Sequence, residues 1–113
     1  MLVVLSTFPD EATARTICAA LVAGGFVACA NILPQVTSIY RWQGEMKEEG
    51  EILAIFKLPT EGFPALEEKL TALHPYDVPE IVAIPVAAVN AGYQEWVGDI
   101  ARLPPKALQK RTP

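Results

Sequence analysis

Histidine occurs once, cysteine twice, and aromatic residues make up only 8% of the 113-residue chain. A single imidazole, His74, cannot build a multi-histidine metal site, so further ligands have to come from Cys18, Cys29 or carboxylates such as Glu80. Two cysteines do not make a disulfide framework, and the opening Leu2-Val3-Val4-Leu5 lacks the basic stretch that begins a secretory leader. A reducing cytoplasm is the expectation. There is no G-x-S-x-G elbow, no P-loop and no G-x-G-x-x-G, and neither cysteine is marked as activated, so nucleophilic catalysis is poorly supported. The longest apolar stretch, Ile17 to Leu33, is short for a membrane span, is broken by Gly24-Gly25 and carries Asn31; it reads as helix, turn and strand, with no membrane partner.

Positive charge is also scarce: nine Lys/Arg stand against thirteen Asp/Glu, for a net charge of −4. An acidic surface repels phosphate backbones, which excludes nucleic acid as a partner. The imbalance is uneven. All thirteen acids and only five bases lie in residues 1–101, which leaves that stretch at −8, while Arg102, Lys106, Lys110 and Arg111 close the chain. The expected organisation is one domain over residues 1–102 and a basic, proline-containing tail over 103–113. Two readings fit the tail: a solvated extension, or an acid-seeking segment that docks on a neighbouring subunit. At 51% apolar residues the body is far from disordered, and its length fits one small domain with little stability in reserve unless copies share apolar surface.

Met1 to Phe8 is apolar on consecutive positions and ends at Pro9-Asp10, a buried strand followed by a helix entry. Asp10 is the expected N-cap, Ala14, Ile17, Cys18 and Leu21 form one apolar stripe, and Gly24-Gly25 supplies the left-handed stop. Phe26 to Leu33 and Val36 to Trp42 read as one long strand bent at Pro34, turning near Gly44. The charged run Glu45 to Glu51 is expected to connect it to a third strand, Ile52 to Leu58. Thr60 is the expected cap of a second helix with a Phe63, Leu66, Leu70 and Leu73 seam, ended by His74-Pro75. A fourth strand, Ile81 to Val89, and a last amphipathic helix around Tyr93, Trp96, Val97 and Ile100 complete the order.

This order, β-α-β-β-α-β plus a C-terminal helix, predicts an α+β, ferredoxin-like sandwich with both main helices on one face of the sheet. The strands are apolar on both parities, so the second face also needs covering, and a homo-oligomer is expected. Cys18 lies in the helix stripe and reads as a packed thiol. Cys29 and His74 are the candidate metal ligands, with two alternatives open: a buried structural thiol for Cys29, and a helix-end hydrogen-bonding role for His74. Tyr40-Arg41-Trp42 together with His74-Pro75-Tyr76 are candidates for lining a small cleft, or equally for packing subunits together. Glu45, Glu48, Glu49 and Glu51 lack the spacing of a calcium loop and read as a solvated hairpin tip.

The segments TFPDEATAR (7–15), VACANILPQVTSIYRWQG (27–44) and LHPYDVPEIVAIP (73–85), with Gly92-Tyr93 and Trp96, resemble the CutA divalent-cation tolerance family over residues 2 to about 101. The resemblance implies a ferredoxin-like homotrimer with strand contacts between subunits, a role in tolerance to copper and other divalent cations, no required cofactor and no enzymatic reaction. It also implies a gross similarity to PII-type signalling trimers, and on that reading a small molecule would sit in an inter-subunit cleft lined by Tyr40, Arg41, Trp42, Tyr76 and Glu80. The copper ligands of bacterial relatives, a Cys before T-x-P-D and two adjacent His before Pro-Tyr, fall on Ser6, Leu73 and His74, so His74 alone remains and weak copper binding is what the resemblance supports here. Acylphosphatases share the topology, but the Ser6 to Asp10 loop has no Arg or Gly cradle for a phosphate. RNA-recognition modules share it too, without their aromatic strand pattern here.

Overall fold

A computed structural model describes residues 1–102; the tail over 103–113 lies outside the described residues. The elements are β1 (Leu2–Phe8), α1 (Glu11–Ala23), β2 (Cys29–Trp42), β3 (Glu45–Leu58), a 3-10 turn (Thr60–Gly62), α2 (Phe63–Leu73), β4 (Val82–Pro85) and α3 (Ala91–Arg102). They build an α+β fold in which four antiparallel strands are ordered β2-β3-β1-β4, the split βαβ arrangement expected from the sequence. No helix among the described residues is long and apolar enough to cross a membrane.

Strand pairing puts Leu2 opposite Leu58, Val4 opposite Phe56, Ser6 opposite Ala54 and Phe8 opposite Ile52 on one face of the sheet. All eight are buried. That face is roofed by Ala14, Ile17, Cys18 and Leu21 of α1 and by Leu66 and Leu70 of α2, which together form the core. Each large apolar side chain removed from water there contributes roughly 1.5–3 kcal/mol. The other face carries Val3, Leu5, Leu53 and Ile55, with Val82 and Ile84 of β4 still 48% and 45% exposed.

Local signals account for the boundaries. Asp10 accepts a hydrogen bond from the Thr13 N–H at 2.8 Å, and Thr13 holds the Asp10 carboxyl below its usual range. Gly25 adopts φ +75° just beyond α1, as the left-handed stop requires. Between Leu33↔Leu53 and Val36↔Glu51 the ladder slips by one residue, a β-bulge at Pro34, where the missing N–H makes regular pairing impossible.

Four expectations need correction. Glu45 to Glu51 is not a connection but the first half of β3, because Gln43 and Gly44, at φ +51° and +82°, close a two-residue turn and leave the glutamates to pair with Val36 to Trp42. β2 begins at Cys29 rather than Phe26, since Phe26 and Val27 still return hydrogen bonds to Leu21 at the end of α1. Thr60 caps no helix: its hydroxyl accepts from the Met1 amino group, while α2 starts at Phe63 with a proline in its first turn and no side-chain cap. β4 is four residues long, ending at Pro85, which cannot continue the ladder.

Ser6 occupies an apolar layer with its Oγ fully buried and without a hydrogen-bond partner. Removing an unsatisfied buried hydroxyl is favourable. Ser6→Ala is therefore expected to raise stability by about 1 kcal/mol, read as a higher urea midpoint at unchanged slope; a lower midpoint would show that the hydroxyl has a partner.

Candidate functional site

The β2–β3 ribbon runs past the end of β1, whose last pairing is Phe8↔Ile52, and the segment after α2 folds up beside it. Between them lies an open cleft of about 820 Å³ lined by Thr7, Tyr40, Trp42, Glu49, Glu51, Tyr76, Asp77 and Glu80, among others. Four of the five sequence-predicted cleft residues thus come together within a single chain. Arg41 does not: successive strand residues point to opposite faces, so it leaves the ribbon on the side away from Tyr40 and Trp42.

The cleft is acidic. Glu49, Glu51, Asp77 and Glu80 line it with no Lys or Arg among them, and Lys47, the base next to Glu49 on its face of β3, lies 3.9 Å from Glu45. Two phenols are spent on the carboxylates. Tyr76 Oη donates to Glu51 Oε2 at 2.7 Å, and Tyr40 Oη donates to Glu49. Burial, then the Glu51 hydrogen bond, raises the Tyr76 phenol; the Glu49 hydrogen bond raises that of Tyr40. Both tyrosines therefore stay protonated as fixed donors, and neither is poised as a base. Sequence reading missed Glu49 and Glu51 as cleft residues because it placed them in a loop, and the run Glu45 to Glu51 carries no apolar alternation that would mark it as strand.

His74 anchors one wall. It is 8% exposed, stacks on Phe8 at 4.7 Å between centroids, and contacts Tyr76 at 4.9 Å. Its Nδ1 accepts from the Tyr76 N–H at 3.1 Å, which leaves Nε2 as the protonated nitrogen, donating to the Thr7 carbonyl at 2.8 Å. The β1 strand end and the segment after α2 are thereby tied through one neutral ring. Both ring nitrogens are occupied, so the imidazole has no free lone pair for a metal.

Cys29 stands elsewhere. It pairs with Lys57, which pairs with Val3, four residues along β1 from the Thr7 that His74 holds, or about 13 Å at strand spacing. Its Sγ lies 3.8 Å from Asn31 Oδ1, and the Lys57 ammonium donates to the same oxygen. The two candidate metal ligands are not brought together, and among the described residues no three His, Cys, Asp or Glu side chains form a metal-binding group. A resident copper centre does not fit these residues. Cys18 is buried in the core, and burial pushes its thiol up to about 11, far from a reactive thiolate.

The family model described as CutA1 divalent ion tolerance protein matches residues 2–100. The chain belongs to the CutA1 family. A similar relative, the divalent-cation tolerance protein CutA of Thermus thermophilus, is 55% identical over 95 residues, 84% of this chain and 92% of that protein. The solved CutA1 structure from the same organism superposes with a TM-score of 0.84 at 53% identity, covering 88% of this chain and 97% of that one. A solved CutA from Archaeoglobus fulgidus, described as a periplasmic divalent cation tolerance protein, superposes at 0.86 with 26% identity, covering 90% and 100%. The human protein CutA is longer, and this chain spans about half of its length.

Burial holds the His74 imidazole below its ordinary value near 6.5. Protonation would also turn Nδ1 into a donor facing the Tyr76 N–H. The unfolded chain therefore takes up the proton first, and the contribution of His74 to stability is complete above 6.5 and lost as pH falls from there through the lower folded value. Denaturant titrations across that window should show wild-type stability falling with acidification more steeply than that of His74→Gln, which keeps a donor and an acceptor but no titration. Parallel curves would refute the linkage.

Proposed function

We propose that this CutA1 chain serves tolerance of divalent metals as a non-catalytic homotrimer in the cytoplasm, with the Tyr40, Trp42, Tyr76 and Glu80 cleft as its ligand-facing site. The observation that carries the assembly is the second sheet face, where Val3, Leu5, Leu53, Ile55, Val82 and Ile84 form a contiguous apolar surface that one chain leaves partly open. Surfaces of this kind are rarely left to water, and a cyclic assembly of identical copies covers them symmetrically. Two unpaired cysteines suit a reducing compartment. Copper contact is weak in this reading, limited to Cys29 and carboxylates, because His74 is committed to the fold.

A second reading, a PII-like regulatory trimer with a small molecule in its inter-subunit clefts, draws support from the cleft volume, which suits a small ligand. The acidic lining argues against phosphate-bearing ligands and for the first reading. Calorimetric titration with copper, other divalent cations and a nucleotide panel separates the two: a stoichiometric, saturable nucleotide would favour the second, weak metal uptake without one the first.

Sedimentation equilibrium at micromolar concentration should give three times the 12.2 kDa chain mass. Ile55→Glu, in the centre of the open face, should prevent assembly. Val82→Lys, at an edge position already half in water, should yield folded chains of lower mass. A wild-type protein sedimenting as a folded single chain would remove the assembly.

A further inference from the structure

We propose that the acidic aromatic cleft is occupied by the chain's own basic segment 103–113, with Lys106, Lys110 and Arg111 set against Glu49, Glu51, Asp77 and Glu80 and over the rings of Tyr40 and Trp42. The segment carries three bases and no acid, whereas the cleft is lined by four carboxylates and no base. Glu49 and Glu51 each receive one phenol hydrogen bond and keep lone pairs for further donors. Asp77 and Glu80 have no ion-pair partner among the described residues. Trp42 and Tyr40 remain 43% and 38% exposed beside them. An aromatic face next to unneutralised carboxylates favours Lys and Arg, whose stems cover the ring while the charge meets the acid.

Reach permits it. The segment leaves the end of α3 at residue 102 and is eleven residues long, up to about 36 Å when extended. That exceeds the 29 and 24 Å shorter dimensions of the molecule and falls short of its 47 Å long axis. Exposed ion pairs are individually weak, but a short tether holds the segment near the cleft at an effective concentration of order millimolar, so occupancy needs no tight binding by the free peptide. In this arrangement the tail is a built-in competitor, and an external cation has to displace it.

The test uses the full chain. Gln109→Cys carries a nitroxide, in a Cys29→Ser background so that only the buried Cys18 thiol remains, and amide and indole signals are recorded. The expected result is several-fold selective broadening of the Trp42 indole and the Tyr76 and Glu80 amides, with the Trp96 indole spared. Raising salt from about 0.05 M to about 1 M, where the screening length shrinks to about 3 Å, should restore the signals. The triple variant Lys106→Glu, Lys110→Glu, Arg111→Glu should restore them too. Uniform broadening, broadening centred on Glu67 and Glu68 of α2, or broadening that survives high salt would each overturn the proposal. So would spermidine binding the cleft equally well whether the tail charges are intact or reversed, since the cleft would then be vacant for a free cation. Sedimentation of the same samples keeps this separate from assembly: selective broadening in a single-chain species would sustain the tail contact while removing the trimer.

Discussion

The antiparallel ladder between β1 and β3 is the constraint from which the rest of the molecule follows. Because side chains alternate across a strand, this one register fixes two surfaces at once: Val4, Phe8, Ala54, Phe56 and Leu58 go beneath the helices, and Val3, Leu5, Leu53 and Ile55 go to the opposite side. A slip by one residue would exchange them, placing Lys57 in the core and emptying the layer that α1 and α2 cover. The helices add the roof, but the ladder decides what is under it. The same ladder delivers the Thr7 carbonyl and the Phe8 ring to the point where His74 meets them, so the cleft wall inherits its position from the core.

That inheritance explains how a residue in the right family position can have the wrong chemistry for metal capture. His74 ends α2 with its backbone N–H bonded to Leu70, its ring in contact with Phe8 and Tyr76, and both nitrogens engaged. A ring so held is a rigid joint. Its partner in the expected metal pair, Cys29, stands on a distant part of the sheet beside Asn31 and Lys57. The electrostatic character of the chain concentrates instead in the cleft, where carboxylates from the ribbon and from the segment after α2 face each other without bases.

Much of the fold was legible because its signals are local. Asp10 before a 3.6-residue stripe, Gly24-Gly25 after it, Pro34 within a β-prone run and His74-Pro75 at the end of a seam each act through their own backbone, and each marks a boundary or irregularity in the structure. What escaped was decided by partners far away in sequence. Glu45 to Glu51 looked like a polar loop because a ribbon with water on both sides has no apolar alternation to display. Thr60 looked like a cap until the Met1 amino group claimed its hydroxyl. Tyr40, Trp42, Tyr76 and Glu80 line one cleft, as aromatics with polar tips near strand ends commonly do. Arg41 lies outside that lining, because adjacency in sequence is opposition across a strand.

The turn at Gln43-Gly44 decides which of those neighbours faces the acids, and the irregularity at Pro34 reconciles that register with the one nearer the core. Ahead of it, odd-numbered residues of β2 share a side with Leu53, Ile55 and Lys57; beyond it, even-numbered ones share that side with Glu49 and Glu51. One supernumerary residue therefore works as a phase inverter. Excising it while keeping the turn would leave Tyr40 and Trp42 on the side of the acids, because Trp42↔Glu45 fixes that half of the ribbon, and would make the ladder continuous from Leu33 to the turn.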